Sequence, residues 1–156
     1  RNEEMITILI ADDHQLLRSG LSLMINEQPD MKVVSYAKDG MESVHNTLQF
    51  KPNIVVMDYN MPLKNGLEAT KEILRKNERT KIIMLTTNDD RQIMTQSLQA
   101  GALGYLLKSH SGEDLIEAIR TVNKGHAYLK PDATRTLIED YVSVMKRNVR
   151  GGYRSF

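Results

Sequence analysis

The apolar residues of this chain change their period repeatedly, and that alternation limits the fold more than any single motif. Met5–Ala11 ("MITILIA") is short, rich in isoleucine and ends abruptly in two aspartates, the pattern of a strand. His14–Glu27 then sets Leu16, Leu17, Leu21, Met24 and Ile25 along one helical face. The pair of patterns recurs. Met31–Ala37, Ile54–Met57, Lys81–Leu85 and Gly104–Leu107 read as strands. Gly40–Phe50, Leu67–Lys76, Asp90–Ala100 and Gly112–Asn123 read as helices. Ile54–Met57 is apolar at every position, as expected of a strand covered on both faces. Gly101 stands where a helix C-terminal cap belongs. Five strands alternating with five helices imply an α/β fold, a parallel sheet with helices on both faces joined by right-handed crossovers. For five units the expected order is the flavodoxin-like 2-1-3-4-5, with the ligand site beyond the carboxyl ends of the strands.

Those ends carry an unusual set of side chains. The first strand runs into Asp12 and Asp13, the third into Asp58, the fourth into Thr86 and Thr87, the fifth into Lys108. In the expected order these four strands are consecutive neighbours, so three carboxylates, a hydroxyl and an ammonium converge on one edge. Two carboxylates ~4 Å apart repel by roughly 4 kcal/mol at an effective dielectric of 20. One lysine leaves negative charge in excess, which a divalent cation would relieve. All-oxygen ligation suits Mg²⁺. The four histidines, His14, His45, His110 and His126, are scattered and lack the spacing of a zinc site. A carboxylate beside Mg²⁺ and lysine can also act as a nucleophile toward a phosphoryl group, giving an aspartyl phosphate.

Composition removes several alternatives. A net charge of +1 gives no overall basic field for nucleic acid. The absence of cysteine excludes disulfides and thiolate metal sites and fits a reducing compartment. No apolar run approaches the ~20 residues of a membrane span, and no secretory hydrophobic region opens the chain. A cytoplasmic protein is expected. Met5 is a candidate natural start, with Arg1–Glu4 an added remnant.

The set "ADD" (Asp12, Asp13), "VVMDYNMPLKNG" (Asp58), "IIMLTT" (Thr86) and "GYLLK" (Tyr105, Lys108) closely resembles the response-regulator receiver domain of two-component signalling, over about Met5 to Lys124. The resemblance implies that Asp58 is the phosphoacceptor and that a sensor histidine kinase is the donor. It implies that Asp13 ligates Mg²⁺ directly, with Asp12 assisting through water and Asn60 offering its backbone carbonyl. Lys108 would pair first with the carboxylate and then with the phosphoryl group. Thr86 would hydrogen-bond a phosphoryl oxygen, and Tyr105 would swing toward the space that Thr86 leaves. A Tyr105 that packs and does not move is the alternative. Asn60 and Asn88, two residues beyond Asp58 and Thr86, would flank the path of the hydrolytic water and tune lifetime, or are ordinary loop polarity. Where many receivers have proline, often after a cis bond, Ser109 follows Lys108. A cis bond without proline costs ~3–4 kcal/mol, and either isomer is compatible with the sequence.

The chain then divides into a receiver over 5–125 and a linker helix with a basic tail over 126–156. Pro131 suits a first helical position, and Ala133, Leu137, Ile138, Tyr141, Val142 and Met145 mark an amphipathic helix. "GHAYLKPDATRTLI" resembles the stretch joining the receiver to a LuxR-type helix-turn-helix effector in the NarL/FixJ subfamily. The effector helices are expected beyond Phe156, so promoter DNA would be reached only through them. Arg147, Arg150 and Arg154 read as a solvated linker. The resemblance also implies a homodimer through the first and fifth helices. Two other classes compete. A haloacid-dehalogenase-like phosphatase would want a carboxylate two positions past its nucleophile, where this chain has Asn60. A nucleotide-binding module would want a glycine-rich phosphate loop, and neither G-x-x-x-x-G-K-[ST] nor G-x-G-x-x-G follows the first strand. The expected protein is therefore a signalling switch, with no enzyme activity beyond its own phosphorylation and dephosphorylation.

Overall fold

A computed structural model describes residues 4–110 and 112–151. Arg154 of the expected basic tail and most of the expected N-terminal remnant lie outside the described residues. The chain alternates strictly: β1 (Ile6–Ala11), α1 (Gln15–Asn26), β2 (Met31–Ala37), α2 (Gly40–Phe50), β3 (Ile54–Asp58), α3 (Gly66–Lys76), β4 (Lys81–Thr86), α4 (Arg91–Gln99), β5 (Gly104–Leu107), α5 (Gly112–Asn123), β6 (Tyr128–Leu129) and α6 (Pro131–Gly151). All strand pairs are parallel, in the order β2-β1-β3-β4-β5-β6. The expected 2-1-3-4-5 core is present. A sixth strand, too short to show a period in sequence, extends its edge by pairing Tyr128 with Gly104 and Leu129 with Tyr105.

Alternation along the central strands builds two cores. Ile8 and Ile10 face one layer, where Ile25 of α1 and Leu115, Ile119 and Val122 of α5 cover them. Leu9 and Ala11 face the other, under Val44 of α2, Ile73 of α3 and Met94 of α4. Helix starts are set by local chemistry. Asp39 accepts from Glu42 N at 2.7 Å, and Asp90 accepts from Gln92 N at 2.7 Å. Asn65 and Glu68 form a reciprocal capping box at α3. Gly101, with φ 109°, follows α4 as expected of its left-handed position.

Only the first part of α6 is held down. Ala133 and Leu137 pack on the second core, and Arg91 of α4 reaches Asp140 at 3.0 Å. Ile138, Tyr141, Val142, Met145 and Val149 are exposed. Among the described residues no helix is long and apolar enough to cross a membrane.

Candidate metal centre at the sheet edge

The strand ends deliver the expected side chains to one place. Asp58 is the last residue of β3, Thr86 the last of β4, and Asp12 and Lys108 immediately follow β1 and β5. Asp12 and Asp58 are almost sealed, 1% and 2% exposed. Lys108 Nζ bridges them, 2.8 Å from Asp12 Oδ2 and 3.1 Å from Asp58 Oδ2. These two oxygens are buried and have no hydrogen bond of good geometry, so the lysine meets them as an ion pair. Asp13 stands at the rim with its side chain 36% exposed.

Burial is the largest single influence on both Asp58 and Lys108, but it sets the direction only for Asp58. It pushes Asp58 up to about 6, helped by the charge of Asp12 and opposed by Lys108 and the Asn60 amide. Burial pulls Lys108 down, but its contacts with Asp12 and Asp58 outweigh that and leave it above the usual lysine value. Asn60 N donates to Asp58 Oδ1 at 3.2 Å, and Asn88 N donates to the buried Thr86 Oγ1 at 3.2 Å. Both Asn60 and Asn88 are exposed. Tyr105 is buried in the second core, and its hydroxyl donates to the Asn88 carbonyl at 3.4 Å. Burial, then Asp89 and Asp90, push that phenol to about 12. The Lys108–Ser109 bond is trans.

The β3–α3 loop is tightly seated. Gly66 N donates to Tyr59 O at 2.8 Å, and a Cβ on Gly66 would strike the Asp58 carbonyl. A Cβ on Gly40, at the start of α2, would strike the Lys64 carbonyl. Leu63 holds φ 70° in this loop, a conformation that costs a leucine roughly 1–2 kcal/mol.

Two residues at the site escaped the sequence reading. His14, set aside there as scattered, places Nδ1 3.0 Å from Asp12 Oδ1 and 3.2 Å from Asp13 Oδ1. Its only sequence signal was adjacency to the aspartate pair. Arg18 donates to the Asp12 carbonyl at 2.6 Å from one turn into α1, holding the β1–α1 loop. Asp12, Asp13, His14 and Asp58 offer ligand atoms all within 4.8 Å of one another. The pocket fits a hard divalent cation: two buried carboxylates share a single lysine, a third carboxylate lies at the open rim, and that one lysine cannot neutralise all three.

A doubly wound parallel sheet with an acidic pocket at its carboxyl edge, bridged by a lysine, defines a class of small α/β domain. Residues 8–120 match the model of the response regulator receiver domain. The chain belongs to that family. It is 39% identical over 140 residues to the transcriptional regulatory protein DegU of Brevibacillus brevis, covering 90% of this chain and 59% of that protein. It is 42% identical over 137 residues to the oxygen regulatory protein NreC of Staphylococcus carnosus, covering 87% of this chain and 63% of that protein. A LuxR-family two-component response regulator from Aurantimonas sp. SI85-9A1 superposes with a TM-score of 0.84 at 30% identity, over 89% of this chain and 99% of that one. The chain thus spans about three-fifths of the length of these curated relatives.

Proposed function

We propose that Asp58 accepts a phosphoryl group from a sensor histidine kinase and that the receiver, over 5–125, passes the change on through its surface. The observation that carries this is the bridge of Lys108 between two nearly sealed carboxylates. In the step, an Asp58 carboxylate oxygen forms the new bond to phosphorus, and the donor's bond to phosphorus breaks with its electron pair leaving on the donor. Asp12, Asp13, Asp58 and the Asn60 carbonyl would hold Mg²⁺, which when bound neutralises charge on the transferring oxygens. Lys108 keeps the nucleophile ionised and oriented, then pairs with the arriving phosphoryl oxygens. Thr86, freed from the Asn88 amide, supplies a hydroxyl to one of them, and Tyr105 follows it. Asn60 and Asn88 flank the path of hydrolytic water and carry no carboxylate that could serve as base, so turnover of an outside substrate is disfavoured.

The output on this reading is homodimerisation through α1 and α5, with 126–156 leading to a promoter-binding effector domain beyond this chain, in the cytoplasm. A relative named as a transcriptional regulatory protein, and a similar structure titled a LuxR-family two-component response regulator, support that assignment. Intact mass after incubation with Mg²⁺ and phosphoramidate should show a single phosphoryl adduct that Asp58→Asn abolishes. Persistence of the adduct in Asp58→Asn would overturn the assignment. Rapid turnover of phosphomonoesters without a lasting adduct would favour the phosphatase reading.

A further inference from the structure

Ser109 leaves the turn after Lys108 without the rigidity a proline would give, yet this turn must aim an ammonium at two carboxylates. Its hydrogen bonds explain how. Lys108 N donates to Thr86 O at 2.7 Å, toward β4. Backbone donors alternate in direction along a strand, so Leu107 N points to the other side, toward β6. But β6 pairs only with Gly104 and Tyr105 and ends at Leu129, and Pro131 already opens α6. The Leu107 amide would be a stranded donor at a half-buried sheet edge, a costly state. His110 meets it: Leu107 N donates to His110 Nδ1 at 3.0 Å, and His110 N donates back to Leu107 O at 3.0 Å.

We infer that His110 is the positioning residue for Lys108, its imidazole closing the 107–110 turn so that the lysine leaves the sheet in one direction. The inference rests on the reading of Lys108 as the phosphoryl-binding lysine. Packing alone does not fix this turn. His110 and Leu107 line a hollow of about 250 Å³ beside the start of α6, together with Tyr105, Lys130 and Ala133. The two reciprocal hydrogen bonds fix it, and Nδ1 can accept only in the tautomer that carries its proton on Nε2.

Two variants of the full chain test this. His110→Asn keeps an acceptor, because asparagine Oδ1 has nearly the reach of histidine Nδ1. His110→Leu keeps bulk and removes the acceptor. In His110→Leu, Leu107 amide exchange with solvent should accelerate about tenfold or more. Phosphoryl uptake from phosphoramidate should slow by about tenfold to a hundredfold, the scale of a small misplacement. Mg²⁺ affinity measured by calorimetry should stay within about twofold of wild type, since no metal-holding group has moved. His110→Asn should restore both exchange and uptake. Unchanged Leu107 exchange in His110→Leu, equal losses in both variants, or loss of Mg²⁺ affinity in step with uptake would each overturn the inference. A wild-type chain that takes up no phosphoryl group sinks the phosphoacceptor reading alone. The exchange comparison between the two variants then still supports or overturns the clamp.

Discussion

Asp58 is a carboxylate held in a place that disfavours its charge. Burial, then the charge of Asp12, raise its pKa from the ordinary 3.8 to about 6 in the metal-free pocket. Between those values the folded state holds the proton more firmly than the unfolded chain. Stability contributed by Asp58 is therefore lost as pH rises through that window. The loss is on the order of a few kcal/mol. Thermal unfolding of the metal-free protein from pH 4 to 7 should show wild type losing stability relative to Asp58→Asn. Saturating Mg²⁺ at pH 7 should restore it, because a cation binds the ionised form. A wild type that tracks Asp58→Asn across the range would refute this account. The cost of the buried aspartate was legible in the sequence, as a bare charge at the end of an apolar strand. Its neighbour His14 was not, because a histidine beside two carboxylates lacks the cysteine or histidine company by which sequence reveals a ligand.

At the scale of elements, the site depends on how closely the β3–α3 loop is clamped. Gly40 of α2 lies against Lys64, and Gly40 N donates to Pro62 O at 3.4 Å, so one helix start fixes the loop that carries Asn60. Gly40→Ala should destabilise the fold by about 1–3 kcal/mol in denaturant titration, the usual cost of forcing atoms into filled space, and should weaken Mg²⁺ binding. Asn65→Ala opens the capping box at the far end of the same loop. It should cost about 1 kcal/mol and leave Mg²⁺ affinity near wild type. If both variants bind Mg²⁺ normally, Gly40 seats only the helix. The main elements were readable because each strand and helix is long enough to display its own period. β6 was not, since two residues have no period, and its short length is what leaves the Leu107 amide for His110. The capping pair Asn65 and Glu68 has no period of its own to mark it in the sequence. Its role emerges when both hydrogen bonds, 2.8 and 3.2 Å, are in place.

Across the whole molecule, two faces are candidates for the dimer contact of the proposed switch. One lies on α1 and α5. Arg120 of α5 grips Asp30 through two contacts at 2.9 Å and Gln28 through another at 2.9 Å, tying α5 to the turn that follows α1. The ion pair depresses Asp30 below the ordinary carboxylate value, chiefly through its hydrogen bonds with Arg120. This brace firms a groove of about 420 Å³ lined by Met24, Ile116 and Arg120, and Leu23, the residue before Met24 in α1, is 68% exposed. The other surface is the outer stripe of α6, Ile138, Val142, Met145 and Val149, on the half of the helix that leaves the receiver. A rigid, braced face is the better site for an interface, because less side-chain and backbone freedom is lost on docking. Beryllofluoride with Mg²⁺ should therefore shift the chain toward dimer in light scattering, and Leu23→Glu should keep it monomeric by placing two like charges in one seam, weakening association about tenfold or more. Phosphoryl uptake by Leu23→Glu should match wild type, since Leu23 touches none of the pocket residues. The same charge placed on the other surface, Met145→Glu, should leave dimerisation intact. The reverse pattern, with Met145→Glu monomeric and Leu23→Glu dimeric, would move the interface to the linker helix and make α6 the element that reads the state of Asp58.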